Sequence, residues 1–426
     1  MVWAWILGGG VLGLVVVVCL WLYLAGAFRP MPNYRLQGGI ADTASFALSL
    51  ASLSDSLPTQ GRLTGFWQDV EAIQMTRLDA IAAAQHLIQF ETFIMTPGQR
   101  AERFAAALCE RSRAGVTVRM LVDAYGAKAM ASTYWQTLRQ AGVEVRFFQP
   151  FSWRDPLAYL RRNHRKLLLV DQQVALIGGA GISDLWDGHF QGGHYPPWFD
   201  FESRWQGPVV GFLTGLFWQH WLDAGGAVNL CDHHPAQSPS AKAAAVVVTP
   251  GEDPSPRDSP IRGLFQTCVL AAKTRVWIAS PYLLPDRATC HTLAKAIAQG
   301  VDVRIVTMGP RCDKPFVYAV ARNRYGRLFR AGVELYEYWP SMMHAKVMLI
   351  DRHWVSIGSA NLDPRSFFHN DELNLCADAP ALLDAVETLF DQAFEHSRQI
   401  SVAQWQRRSL RQRLQGSLGN LLYWQL

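Results

Sequence analysis

The residues best equipped for chemistry occur twice with one spacing. His164, Lys166 and Asp171 form one H-x-K-x4-D run, and His344, Lys346 and Asp351 form a second. Gly178-Gly179 follows the first; Gly358-Ser359 and then Asn361 follow the second. A lone histidine near a lysine is usually an accident of surface or core, but two copies with identical spacing need a cause. After each histidine, Lys166 to Val170 and Lys346 to Ile350 read as strands, and alternation puts histidine and lysine on one face, within reach of a single anion. The chemistry this supports is displacement at the phosphorus of a phosphodiester. Such a reaction needs its non-bridging oxygens screened, a nucleophile at phosphorus and a proton for the departing alkoxide. A neutral imidazole supplies the nucleophile. A second, protonated one supplies the proton and recovers it from the incoming alcohol or water. Lys166 and Lys346 act as point charges on the phosphoryl oxygens, with Ser359 and Asn361 as neutral phosphate donors. The scheme calls for no metal and no cofactor.

Two histidines on opposite sides of one phosphorus require two similar supports, and the chain looks doubled. The strand pattern His86-Leu87-Ile88-Gln89-Phe90-Glu91 is answered by Arg275-Val276-Trp277-Ile278-Ala279-Ser280. Gly115 to Met120 is answered by Gly300 to Ile305, Ala141 to Val145 by Ala331 to Leu335, and His164 to Ile182 by His344 to Leu362. Between the short β-branched runs lie helical patterns such as Gln99 to Arg113 and Ala288 to Gln299. Together these predict an α/β fold, two halves around a mainly parallel sheet related by a pseudo-twofold axis. Gly225-Gly226, His233-His234-Pro235 and Ser238-Pro239-Ser240 break the periodicity between them. The predicted organisation is an anchor at 1–28, a juxtamembrane segment at 29–57, a first half at 58–224, a linker at 225–242, a second half at 243–397 and a basic tail at 398–426.

The doubled motif resembles the phospholipase D superfamily, and the run Ile357-Gly358-Ser359-Ala360-Asn361-Leu362-Asp363-Pro364-Arg365-Ser366 looks like bacterial cardiolipin synthases. Glu91-Thr92-Phe93-Ile94, the Asp200 segment ending Gln206-Gly207-Pro208, and Glu372-Leu373-Asn374 look like that family too, so the similarity covers roughly Phe66 to Arg398. The resemblance implies a phosphohistidine intermediate, with His164 as nucleophile and His344 as acid and base, a pair that pseudo-symmetry makes interchangeable. It implies that a carboxylate downstream of each motif orients that motif's histidine, Asp200 for the first and Glu372 for the second. Asp171 and Asp351, counted among the motif residues, are expected to brace the turn and not to touch substrate. The implied reaction is ping-pong transfer of a phosphatidyl group from one phospholipid to the hydroxyl of phosphatidylglycerol, making cardiolipin. A hydrolase giving phosphatidic acid and a nuclease share the chemistry, and a non-enzymatic scaffold fits two intact histidine-lysine pairs poorly. The sequence departs from the family at Gly181, where the first motif lacks the usual asparagine.

The 426 residues, half of them hydrophobic, can bury more than one ordinary core, and a net charge of +5 is too mild to dictate a nucleic-acid partner. It suits an anionic phospholipid membrane. Val2 to Phe28 carries no charged side chain, which at roughly 1.5 Å per residue gives roughly 40 Å of helix, enough to cross a bilayer. With no basic residue before Arg29, a retained single-pass anchor in a bacterial inner membrane is expected, not a cleaved signal. Arg29 and Arg35 put the catalytic part in the cytoplasm, and Gly8-Gly9-Gly10 reads as helix packing. Seven scattered cysteines point to a reducing compartment without disulfides, and Cys231 with His233 and His234 to a solvated linker, not a metal site. The cluster Arg161-Arg162-His164-Arg165-Lys166 holds an anionic head group or, for Arg161 and Arg162, lies in a solvated loop. Gly188 to Pro197 is long enough for a lid or acceptor channel. At the C-terminus Arg407, Arg408, Arg411 and Arg413 alternate with Trp405, Leu410, Leu414, Leu418, Leu421 and Trp424. That pattern describes a basic amphipathic helix, set either on the membrane or against the catalytic body.

Overall fold

Two strand sets of matching order make up one sheet. The computed structural model describes residues 2–27, 36, 43–154, 158–190, 192–229, 243–254 and 258–426. Ahead of the sheet lie helices α1 (Val2–Ala27) and α2 (Thr43–Leu53). The first half runs β1 (Leu57–Trp67), α3 (Val70–Ala83), β2 (Leu87–Thr92), α4 (Gln99–Arg113), β3 (Thr117–Asp123), α5 (Ser132–Gln140) and β4 (Glu144–Phe148). It continues through β5 (Arg162–Asn163), β6 (Leu167–Val170), β7 (Val174–Gly178), the hairpin β8 (His189–Phe190) and β9 (Gly193–His194), β10 (Glu202–Gln206) and α6 (Val209–Asp223). The second half runs β11 (Ala244–Gly251), α7 (Pro260–Ala271), β12 (Arg275–Ala279), α8 (Arg287–Ala298), β13 (Asp302–Met308), α9 (Pro315–Ala331) and β14 (Glu334–Tyr338). Then come β15 (Val347–Ile350), β16 (Trp354–Gly358), α10 (Pro364–Phe368), β17 (Asn370–Ala377), α11 (Pro380–Glu395), β18 (Ser397–Gln399), α12 (Val402–Gln406) and α13 (Leu410–Gly419).

Across the sheet the order is β18-β14-β13-β12-β15-β16-β17-β11-β1-β10-β7-β6-β2-β3-β4. Apart from β18 it reads the same from either end once β2 is matched with β12, β6 with β15 and β10 with β17. The pseudo-twofold axis therefore passes between β1 and β11, which pair antiparallel from Leu57 opposite Val248 to Gly61 opposite Ala244. The expected mainly parallel sheet is corrected to a mixed one. Among the named strands, parallel pairing is confined to β2-β3-β4, to β12-β13-β14 and to the short β5 on β17. Helical crossovers, which parallel strands require, exist only there; the motif strands return by tight turns, which enforce antiparallel pairing. Those turns put Asp171 and Asp351 at φ 51° each, a conformation aspartate tolerates better than most residues.

The core has three parts: one within the first half, one mostly of the second half that also takes in Val70, Ile73, Trp186 and Trp198, and one shared along the axis. In the shared part α6 and α11 cover the strands beside the axis, so Phe201, Trp205, Leu213 and Phe217 pack in one cluster with Val355, Ile357, Leu373 and Leu375. Each fully buried side chain of this size contributes about 1.5–3 kcal/mol, so the junction is a folding core and not a loose domain contact.

Described side chains of α1 cover residues 8–21, all exposed. A Cβ added at any of its three consecutive glycines would have nothing within 4 Å, so no packing partner explains them among the described residues. Among the described residues no helix is long and apolar enough to cross a membrane. Arg29, Arg35, Cys231, His233 and His234 lie outside the described residues.

Candidate active site

Each motif histidine follows a short parallel contact with the opposite half. β5 pairs with the start of β17, Asn370 opposite Arg162, and the His164 amide donates to Asp371 O at 2.9 Å. Likewise Met343 bridges Phe199, and the His344 amide donates to Phe199 O at 2.7 Å. The residue after each of these anchor points is a carboxylate. Glu372 Oε2 therefore meets His164 Nδ1 at 2.9 Å, and Asp200 Oδ2 meets His344 Nδ1 at 2.8 Å. The expectation that each carboxylate orients the histidine of its own half is thus corrected: the pairs are crossed. The spacing of motif and carboxylate was equally compatible with both arrangements, and only the parallel contact across the halves selects one.

The two pairs have different supports. Glu372 Oε2 accepts from Ser359 Oγ at 2.5 Å and Oε1 from Ser366 Oγ at 2.7 Å. Asp200 Oδ2 accepts from Trp186 Nε1 at 2.9 Å, and Oδ1 from the Phe201 amide. Ser359, expected to bind phosphate, has its hydroxyl committed to Glu372 and to the Leu373 amide, so it acts on the histidine's carboxylate. Its counterpart Gly179 can bear no side chain, because a Cβ would lie 2.0 Å from Asp200 Oδ1. The departure at Gly181 has the same origin. A Cβ there would meet Ile94 O at 2.7 Å and the Trp186 ring at 3.2 Å, so the Ile94 carbonyl, with the indole that holds Asp200 beside it, takes the room of the usual asparagine. Ser366 and Trp186 were not singled out from the sequence; Ser366 closes the run that carries the resemblance, whereas nothing in the sequence marks Trp186.

Both histidines are enclosed, His164 against the edge of Phe93 and His344 between Trp186 and Trp198. Burial pushes the His164 imidazole down to about 4; Glu372 opposes this and the two lysines reinforce it. Burial and then Lys346 push His344 down to about 3. Burial also lowers the lysines, Lys166 to about 7 with help from Lys346, and Lys346 to about 8. For Asp200 and Glu372 burial acts upward, but the facing histidine and lysine outweigh it and hold both below the ordinary carboxylate range. The unliganded site therefore holds neutral imidazoles, ionised carboxylates and two reluctant ammonium groups. Each ammonium donates to the carbonyl of its own motif histidine, Lys166 at 2.6 Å.

His164 and Asn361 open on a cavity of about 360 Å³ lined from both halves. Asn361 is buried and its Oδ1 has no protein partner. Lys346 and Asn361 share a second cavity of about 30 Å³, room for one water. His344 is not on the wall of the larger cavity and packs against the two tryptophans. Asp171 and Asp351 lie at the far ends of the motif strands. Asp171 accepts from the amides of Gln85, His86 and Leu87, and Asp351 from those of Lys273, Thr274 and Arg275. Each thereby fixes where the neighbouring central strand begins.

The solvated-loop reading of Arg161 and Arg162 is corrected. Arg161 clasps Asp371 through Nε and Nη2 at 2.9 and 2.6 Å, and Arg162 is buried against Asp123. Arg165 is buried too, paired with Glu252 at 2.6 Å. Behind them His220, absent from the sequence reading, joins Glu91 and Asp371 at 3.1 and 3.0 Å. Burial and Arg165 lower His220, but these two carboxylates prevail and raise it, so its charge ties β2 to β17. Among the described residues of 188–197 none lies on the wall of the larger cavity; they form the β8-β9 hairpin, with His189 on a separate pocket beside Arg100 and Asp187. Among the described residues no cluster of histidine, cysteine and carboxylate side chains could hold a metal ion, and Cys268 and Cys376 approach to 4.0 Å without bonding.

Residues 78–185 and 267–394 match a family model described as cardiolipin synthase, PLD-like domain. Cardiolipin synthase 1 of Bacillus anthracis is 29% identical over 81% of this chain and 69% of its own length. Cardiolipin synthase of Geobacillus thermodenitrificans is 31% identical over 81% and 68%. Among solved structures, phosphatidylserine synthase of Haemophilus influenzae shares the fold, with a TM-score of 0.68 over 90% of this chain and 100% of that one at 13% identity.

Proposed function

Because the chain belongs to the cardiolipin synthase family with phospholipase-D-like domains, we propose that it transfers a phosphatidyl group between phospholipids, with phosphatidylglycerol as acceptor and cardiolipin as product. The observation that carries this is the crossed pair of histidine–carboxylate contacts. With Nδ1 occupied, Nε2 of each imidazole is the nitrogen left for reaction. In the first step the His164 Nε2–phosphorus bond forms, the bond to the head-group oxygen breaks, and His344 gives that oxygen a proton. In the second the acceptor hydroxyl returns a proton to His344 as its oxygen bonds phosphorus and the phosphorus–nitrogen bond breaks. Lys166, Lys346 and Asn361 screen the phosphoryl oxygens, and the arriving anion raises the histidine that must be protonated. Asp200 and Glu372 hold the rings and stabilise the imidazolium.

The membrane reading follows from both ends of the chain. Val2–Ala27 is a helix without a charged residue and serves as a single-pass bacterial inner-membrane anchor, with the catalytic halves on the cytoplasmic side. At the other end α13 turns Gly416 and Gly419 toward Asn323 and Val320 of α9 and leaves Leu410, Leu414, Leu418 and Leu421 exposed. No acidic residue follows Glu395. This apolar stripe with its arginines rests on the anionic lipid surface.

The deciding measurement is mass spectrometry of lipids after purified full-length protein meets phosphatidylglycerol vesicles, with and without phosphatidylethanolamine. Cardiolipin from the wild type, lost in His164→Ala and His344→Ala, is the expected result. Phosphatidic acid alone would make the enzyme a hydrolase, and no lipid turnover would overturn the reading and direct attention to nucleic-acid phosphodiesters.

A further inference from the structure

The cavity on which His164 opens holds more positive charge than the reacting phosphate needs. Lys166 and Lys346 lie behind the histidines and are absent from its wall, whereas Arg162, Arg365 and Lys314 line it. Arg162 is 5% exposed. One of its Nη atoms reaches Asp123 at a long 3.4 Å; the other, Nη2, is enclosed with no partner, while the guanidinium lies 4.1 Å from the Tyr159 ring centre. A buried guanidinium with an unused donor asks for an acceptor oxygen. Arg365 acts on Arg162 as a like charge. Its own hydrogen bonds go to neutral acceptors, the carbonyls of Leu160 and Gln425 and the Asn370 side chain, so it makes no direct ion pair although Asp363 favours its charge from nearby. Lys314, exposed at the wall, sits 4.7 Å above the Tyr282 ring. Asp363, the side-chain carboxylate on this wall, is raised to about 7 by burial and so offsets only part of that charge.

We propose that Arg162, Arg365 and Lys314 form a second anion position that holds the phosphodiester of the acceptor phospholipid, separate from the phosphate attacked by His164. This rests on the synthase reading, in which two phosphodiester lipids meet in one site. The attacking hydroxyl of phosphatidylglycerol is three carbons from its own phosphate. That phosphate must therefore lie next to the reacting phosphorus while two anions are kept apart. A cationic cavity beginning at His164 meets both demands, and it leaves the neutral glycerol between the two positions.

The test sets a charged acceptor against an uncharged one. Full-length enzyme on phosphatidylglycerol vesicles with added butanol makes cardiolipin from one acceptor and phosphatidylbutanol from the other, through the same phosphatidyl-enzyme. Lys314→Ala and Arg162→Lys are each expected to lower the cardiolipin to phosphatidylbutanol ratio about tenfold, as loss of a charged phosphate contact does, and Lys314→Glu further. Arg162→Lys keeps the charge near Asp123, and exposed Lys314 is not needed for folding, so a changed ratio is not a folding effect. An unchanged ratio in all three variants, even with less total product, would overturn the second position. Wild type that makes phosphatidylbutanol but no cardiolipin would instead overturn the synthase reading, and this proposal with it.

Discussion

The two imidazoles sit in environments alike in kind and different in detail, and the crossed contacts dictate which residues should fail together. Glu372 serves His164 and Asp200 serves His344. With a phosphatidyl ester of nitrophenol, whose leaving group needs no proton, His344→Ala and Asp200→Asn should keep first-step rates at least about tenfold above those of His164→Ala and Glu372→Gln. Single-turnover release of nitrophenol reports this step, and Asp200→Asn grouping with His164→Ala would return the pairs to the uncrossed arrangement. Protonation supplies a second expectation. His344 near 3 and Lys166 near 7 are lowered by burial and by neighbouring lysine charge, Lys346 near 8 by burial, and a bound anion favours the charged form of all three. Groups lowered in the free site and raised in the complex take up protons on binding, so affinity is greatest at low pH and falls as pH rises through the lysine values. Titration calorimetry of a short-chain phosphatidylglycerol at pH 7.5, in buffers of differing ionisation enthalpy, should show net proton uptake of about half a proton or more. Uptake of none would contradict neutral imidazoles and weakened lysines.

Individual elements explain why these side chains stay in place. Asp171 and Asp351 each gather three backbone amides at the start of β2 or β12, so the identical spacing within the two motifs measures the length of one strand. The tail obeys a different rule. Trp405 and Trp424 pack against the body, and Trp405 Nε1 donates to Arg322 O at 2.6 Å, while the leucines between them face outward. Of the two alternatives written into its amphipathic pattern, packing on the body is seen in the glycines and tryptophans, and the exposed leucines are the face that the proposed function assigns to the membrane. Replacing Leu414 and Leu418 together by Gln should weaken binding to anionic vesicles by roughly 30- to 1,000-fold, at roughly 1–2 kcal/mol for each inserted leucine. Vesicle sedimentation measures it, preferably on protein lacking Val2–Ala27 if that form folds, and unchanged binding would assign the stripe to another contact.

On the scale of the whole molecule, the duplicated halves do not behave as two beads. β1 and β11 join them into one sheet, α6 and α11 share a core, and both histidine contacts cross the axis. Denaturant unfolding followed by tryptophan fluorescence and by far-ultraviolet circular dichroism should therefore give one coincident transition. Two separated midpoints would show that each half is stable without the other. The same architecture makes His220 a structural tie, since its two carboxylates come from different halves.

Much of this was legible in the chain itself. Identical spacing around His164 and His344, with the four repeated segments, determined the doubled α/β fold and pointed to phosphodiester chemistry at two histidines and two lysines, while the family resemblance supplied the two carboxylates. Periodicity and spacing carry such information because strand alternation and duplicated order are properties of sequence. The pairing of carboxylate with histidine was not legible, because Asp200 and Glu372 stand at similar distances from their motifs and only the parallel contacts of β5 with β17 and of Met343 with Phe199 bring them to the opposite half. The mixed sheet, the commitment of Ser359 to Glu372, the space that the Ile94 carbonyl and Trp186 take from position 181 and the unpartnered guanidinium nitrogen of Arg162 were likewise decided in three dimensions. Each depends on residues far apart in the chain competing for one volume or one hydrogen bond, and a linear pattern does not record that competition.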